Sequence, residues 1–172
     1  MDRATIINAV LFQATWFACV LGGAYGWFWP GVLGVLALIL SLSHSPALRH
    51  DALIAMVLMP VGAVLDTIWI KVGILDFNGA AVAPAWIILM WLAVALTVNH
   101  SLAFFRDRPL FGALAVLGAA PLSYLAGARL GAVVIPEPAL LAVIALTWAV
   151  LFYAVFRFAC YKLPAWSEAT AS

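Results

Sequence analysis

Two ionisable side chains lie in segments that are otherwise strongly apolar. Asp66 is inside the hydrophobic run 52–72, where a carboxylate is costly unless it has a buried partner, a bound proton or a ligand. His100 is the only one of the three histidines within a predicted membrane span. An imidazole can act as a general base or as a proton relay near neutral pH. Asp66 and His100 are therefore the candidate catalytic residues, for proton transfer or for anchoring a ligand.

The elements that position these groups must be membrane helices. The chain has 172 residues, of which 67% are hydrophobic and 9% are charged, and its mean hydropathy is +1.16. A soluble domain carries about 25% charged residues, so this chain has too few to face water on all sides. The net charge of +1 gives no basic surface, and no nucleic-acid partner is expected.

The predicted fold class is all-α, an integral membrane bundle of six transmembrane helices. A spanning helix needs about 20 apolar residues. One domain, 1–164, is expected to precede a short cytoplasmic tail, 165–172. Breaks rich in turn formers or charge separate the predicted spans, which cover residues 6–27, 28–42, 52–73, 83–105, 110–128 and 138–160. The first segment has a weak basic region and is interrupted by polar residues, so we expect a retained helix rather than a cleaved signal peptide.

Basic residues are distributed unequally between the two sides of this topology. Only Lys71 and Arg129 lie on one side. The other side holds Arg3, Arg49, Arg106, Arg108, Arg157 and Lys162. The positive-inside rule then places both termini in the cytoplasm of a multi-pass protein of the bacterial inner membrane. Residues 36–45 also resemble residues 92–101, which predicts a parallel repeat unless the similarity is due to chance in a small apolar alphabet.

Polar and aromatic residues of comparable depth form a predicted cluster in the outer half of the bundle. The candidate ligand-binding residues are Asp66, Trp69, Trp91, Ser123, Tyr124 and Arg129. In the functional interpretation they line a pocket in which Asp66 accepts a proton or anchors a ligand. In the structural interpretation Asp66 is only held by Arg129, Tyr124 or Trp91.

A second predicted cluster lies in the inner half, on helices one, four and six. Its members are Asn8, Gln13, Asn99, His100, Ser101 and Tyr153. The alternative is a capped helix end near the interface. Helical rise separates Asp66 from His100 by roughly 10 Å or more along the membrane normal, so they are not an obvious dyad. His44, His50 and Asp51 match no metal-ligand spacing, and no metal or other cofactor is expected.

The chain resembles a family of small bacterial inner-membrane proteins known only as a domain of unknown function. The residues that carry the resemblance are Asn8 to Trp16 with Gln13, Gly62-x-x-x-Asp66, Pro84-x-Trp86 with Trp91, His100-Ser101, Pro121-Leu122-Ser123-Tyr124, Gly127 and Arg129-Leu130-Gly131. The resemblance covers nearly the whole chain. It implies a polytopic protein without an established activity and suggests a link to membrane-lipid metabolism, with a lipid-modifying enzyme as a partner.

Three functions agree with these residues, and whether the protein is an enzyme stays open. The first is the binding of a lipid or apolar small molecule, by an enzyme or its accessory, with Trp16, Trp91 and Trp148 lining the site. The second is a small proton-coupled transporter that uses Asp66 and His100. The third is a structural or assembly subunit. A membrane lipid is the expected partner, and a homodimer could complete a site that six short helices enclose only in part.

Overall fold

Six α-helices make up the fold in the computed structural model, which describes the backbone of residues 3–161 and the side chains as far as residue 158. The helices are α1 (Arg3–Tyr25), α2 (Trp29–Ser41), α3 (Leu48–Lys71), α4 (Ala85–Ala95), α5 (Pro109–Arg129) and α6 (Leu141–Tyr161). A short 3₁₀ helix at Ala103–Phe105 lies between α4 and α5, and a second at Pro138–Leu140 directly precedes α6. No strand occurs within the described residues, so the predicted all-α class is confirmed. The predicted tail, 165–172, lies outside them.

Four of these segments are long and apolar enough to cross a membrane, and they indicate a membrane protein. They are Arg3–Tyr25, Leu48–Lys71, Pro109–Arg129 and Pro138–Phe158. The other two helices are short: α2 has 13 residues and α4 has 11. At a rise of 1.5 Å per residue they extend only about 20 Å and 16 Å, against a hydrocarbon thickness of about 30 Å. These two helices overlap the two segments that resemble each other in sequence, residues 36–45 and 92–101.

The fourth span differs from its prediction, because the helix expected over 83–105 ends at Ala95. Residues 96–102 instead form successive turns. The Thr97 hydroxyl donates to the carbonyl of Val94 at 2.6 Å, and such local bonds compete with the helical ladder. Irregular backbone is tolerated at membrane depth only where protein surrounds it. That condition is met here, since Thr97 and Val98 are both 0% exposed.

Asn8 of α1 bridges the two ends of this irregular segment. Its side-chain amide donates to the carbonyl of Leu96 at 3.2 Å. Its side-chain oxygen accepts from the backbone N–H of Ser101, also at 3.2 Å. Asn8 is 2% exposed, so it supplies partners that water cannot provide at this depth.

Consecutive helices pack in pairs, α1 with α2, α3 with α4 and α5 with α6, and α4 also contacts α1 and α2. The α5–α6 pair meets the other helices through large side chains. The rings of Trp91 and Trp148, for example, have their centroids 4.6 Å apart. The loops after α3 and α5 are joined by two backbone hydrogen bonds between Asp76 and Val134, of 2.9 and 2.7 Å. A wide space is left between α5–α6 and the remaining helices.

We expect Asn8→Leu to lower the stability of the bundle. The change keeps a similar volume but leaves the buried Leu96 carbonyl and the Ser101 N–H without partners, at a cost of about 1–3 kcal/mol. Thermal unfolding in detergent would measure the loss. Gln13→Leu is the matched control, because Gln13 is exposed on the same helix and makes no side-chain hydrogen bond with another described residue. Equal unfolding temperatures for the two variants would contradict the bridging role of Asn8.

Candidate functional site

A cavity of about 910 Å³ fills the space between α5–α6 and the rest of the bundle. Its walls are mainly aliphatic and aromatic, and they include Trp16, Trp91 and Trp148. Along α5 the lining runs from Ala115 to Leu130, a distance of about 22 Å by helical rise. The cavity is therefore elongated, and it extends over much of the height of the bundle.

Asp66 forms part of the cavity wall and joins three helices. Its carboxylate is 0% exposed. The indole N–H of Trp91, on α4, donates to Oδ2 at 2.8 Å, and the hydroxyl of Tyr124, on α5, donates to Oδ1 at 2.6 Å. Asp66 thus holds α3, α4 and α5 together from behind the cavity surface, since none of its side chain is exposed.

The position of Trp91 depends on a glycine one turn before Asp66. A Cβ atom at Gly62 would lie 2.3 Å from the Trp91 indole, closer than any real contact. The ring therefore packs directly against the backbone of α3, with its N–H directed at the carboxylate one turn further along. The sequence pattern Gly62-x-x-x-Asp66 provides both the seat for the indole and its acceptor.

The remaining candidate ligand-binding residues take different positions. Ser123 accepts from the indole N–H of Trp16 at 3.0 Å and so links α1 to α5. Arg129 lines the cavity near one end, and the described residues contain no ion pair between it and Asp66. Trp69 is buried away from the cavity, and its indole nitrogen has no hydrogen-bond partner within the described part of the chain.

The predicted inner cluster assembles around a carboxylate that sequence analysis did not include. Asp51 is 0% exposed, and its Oδ1 accepts from the side-chain amide of Asn99 at 2.8 Å. Its Oδ2 lies 2.8 Å from Nε2 of His100. Asn99 in turn accepts a hydrogen bond of 3.4 Å from the guanidinium of Arg106. Asn8 adjoins this cluster through its bond to the backbone of Ser101.

Two members of that predicted cluster lie elsewhere. Gln13 lines the large cavity, and Tyr153 is 44% exposed on the surface of α6. The described residues include no group of three His, Cys, Asp or Glu side chains that could hold a metal ion.

Asp51 could have been found from the periodicity of α3. The buried residues of α3 recur every three or four positions, at Asp51, Ala55, Leu58, Gly62, Asp66 and Trp69. This spacing is one face of a helix. Both carboxylates therefore face the bundle interior from a single stripe, about 22 Å apart along the axis. From the sequence, Asp51 was considered only together with His44 and His50, as residues that match no metal-ligand spacing.

A family described as a protein of unknown function (DUF2878) matches residues 5–154. The chain belongs to this family. The match includes Asp66 with its two donors as well as Asp51 with His100, and the resemblance to an uncharacterised domain family is confirmed. No curated protein and no solved structure is significantly similar to the chain.

Gly62→Ala should displace Trp91 and destabilise the protein. The added methyl group would overlap the indole ring, and overpacking of this kind typically costs about 1–3 kcal/mol. Gly118→Ala on α5 is the matched control, because a Cβ atom there has no neighbour within 4 Å. Thermal unfolding of both variants would test the contact between the Trp91 indole and Gly62. We expect a lower unfolding midpoint for Gly62→Ala than for Gly118→Ala, and equal midpoints would refute the close contact.

Proposed function

We propose that this protein binds an apolar molecule in the intramembrane cavity, and that the occupant is the hydrocarbon chain of a membrane lipid. The observation that carries the proposal is an elongated cavity of about 910 Å³ with mainly aromatic and aliphatic walls. Ligand sites usually enclose about 300–1,000 Å³, are mostly apolar and contain a few convergent polar groups. Asp66 is the only acidic residue among the described lining side chains.

The distribution of polar groups suggests how such a lipid would lie. Ser123, Tyr124 and Arg129 occur within the last two turns of α5, close to the end of the cavity that the loops cover. The opposite end is lined by Leu102 and Phe105 and is apolar. A lipid would thus place its tail towards Phe105 and its polar end between Asp66 and Arg129.

This proposal includes a location and a partner. Four helices able to cross a membrane support a multi-pass protein, which we place in the bacterial inner membrane with both termini in the cytoplasm. Neither the Asp66 carboxylate nor the Asp51 carboxylate is hydrogen-bonded to a described serine, threonine or cysteine side chain that could serve as a nucleophile. We therefore favour a lipid-binding accessory over an enzyme, with a lipid-modifying enzyme as its partner and a homodimer as an alternative assembly.

Filling the cavity should remove the bound lipid. Ala120 lines the cavity on α5, and Ala120→Trp would occupy volume that the hydrocarbon chain needs. Ala14→Trp is the control, because Ala14 is exposed on α1 outside the lining. We expect mass spectrometry of the purified proteins to detect lipid on the wild type and on Ala14→Trp but not on Ala120→Trp. Absence of lipid from all three, or its presence on all three, would contradict the proposal.

Asp66→Asn should separate the polar role of Asp66 from its structural role. An asparagine can still accept from the Trp91 indole, and its amide can donate to the Tyr124 hydroxyl, so we expect a folded protein. Asp66→Leu would leave both donors unpaired and should unfold at lower temperature. The lipid class retained by Asp66→Asn should differ from that of the wild type. If the retained lipid is unchanged and only stability falls, the carboxylate is structural.

A proton-coupled transporter is the second candidate, favoured by the two carboxylates on the buried stripe of α3. Proteoliposomes containing a pH-sensitive dye would test it with the lipid class that the purified protein retains. Transport predicts a pH change when that lipid is added, and its loss in both Asp66→Asn and His100→Gln. Lipid binding without any pH change would leave the accessory function and refute transport.

A further inference from the structure

A second pocket, of about 360 Å³, lies where α1 begins and α2 ends. It shares no lining residue with the large cavity. His100 lines this pocket, and its side chain is 14% exposed. The irregular segment after α4 thus contributes to both spaces, with Leu102 facing the large cavity and His100 facing the second pocket.

Asp51 determines which nitrogen of His100 faces this pocket. The buried carboxylate, when ionised, can only accept hydrogen bonds, so the Nε2 atom at 2.8 Å must carry a hydrogen. In the neutral imidazole the other nitrogen, Nδ1, then has a free lone pair. No described residue bonds to Nδ1. Asp51 is therefore a positioning residue that, for a neutral imidazole, leaves Nδ1 of His100 as an acceptor.

Three other polar residues line the pocket, namely Thr5, Ser41 and Asn99. The Ser41 hydroxyl donates to the carbonyl of Leu38 at 2.7 Å, so its lone pairs are what it can offer to the pocket. The amide nitrogen of Asn99 donates one of its two hydrogens to Asp51 and its oxygen accepts from Arg106, so the second N–H can still donate to a ligand. A hydroxyl fits these groups because it can donate to Nδ1 of a neutral His100 and accept from Asn99, whereas a carboxylate has no hydrogen to donate and an ammonium cannot accept.

Apart from Thr5, the remaining lining residues are apolar, and part of this wall is exposed. Ile7 and Leu42 line it, and Ile7 is 42% exposed. A ligand whose hydroxyl reaches His100 would extend along these side chains. We propose that this pocket binds the hydroxyl end of a long-chain alcohol, with the hydroxyl donating to Nδ1 of His100 while Asp51 holds the imidazole. The site is independent of the lipid proposed for the large cavity.

Photolabelling would test this site. The probes are a long-chain alcohol with a diazirine in its chain and a fatty acid of the same length and label, each with the detergent-solubilised protein. The alcohol should label peptides containing residues 4–7 and 41–42 of the wild type, more strongly than the acid. Ala103→Phe places a larger side chain among the lining residues and should abolish this labelling. Ala14→Phe should leave the labelling unchanged, because Ala14 lines neither the second pocket nor the large cavity.

Asp51→Asn provides the readout that a merely structural role would not change. An asparagine can donate its amide N–H to Nε2, which moves the imidazole hydrogen to Nδ1 and turns an acceptor into a donor. Alcohol labelling should then fall by about fivefold, as expected for one lost hydrogen bond, while fatty-acid labelling should rise. If Asp51→Asn fails to fold, the labelling of the wild type, Ala103→Phe and Ala14→Phe still tests whether the alcohol binds in this pocket.

Three outcomes would overturn the proposal. The first is equal labelling of the wild type by alcohol and acid, and the second is full labelling of Ala103→Phe. The third is competition by a short, water-soluble alcohol as effective as that by the unlabelled long-chain alcohol, because the apolar walls would then contribute nothing. These results are distinguishable from failure of the large-cavity proposal, which is tested by Ala120→Trp and a different set of peptides.

Discussion

The hydrogen bonds of the two α3 carboxylates are the interactions on which the arrangement of the other helices depends. At membrane depth no water compensates an unpaired polar group, so each carboxylate has to obtain its donors from neighbouring helices. Asp66 obtains them from Trp91 on α4 and Tyr124 on α5. Asp51 obtains them from Asn99 and His100, in the segment that follows α4. One helix with two acceptors thereby fixes the position of its partners at both ends.

The early end of α4 follows from the same constraint. Asn99 and His100 are adjacent in the sequence, and both side chains contact the carboxylate of Asp51. Adjacent residues of a straight helix point about 100° apart, so they cannot easily converge on one carboxylate. Turns after Ala95 allow the convergence, and Asn8 supplies hydrogen bonds that the interrupted helix cannot make. The irregular backbone is thus a requirement of the polar cluster and not a packing defect.

Composition was enough to predict an all-helical membrane protein, and helical rise was enough to place Trp91 and Tyr124 at the depth of Asp66. The rotation of each helix was harder to predict, because helices with apolar residues on every side have no obvious buried face. For this reason Arg129 was considered as a partner of Asp66, and Gln13 was assigned to the inner cluster although it faces the cavity. Asp51 was missed because the predicted span began at residue 52, whereas α3 begins at Leu48 and its buried stripe includes Asp51.

The large cavity is built into this architecture. Polar contacts hold α5–α6 to the other helices towards the loop end of the bundle: Tyr124 with Asp66, Ser123 with Trp16, and the loop pairing of Asp76 with Val134. Closing the space would require α5–α6 to move inward and would distort these contacts, which are costly to break at membrane depth. Facing apolar walls gain dispersion contacts only from a molecule that lies between them. A hydrocarbon chain would supply those contacts without moving a helix, and this is the physical reason to propose one.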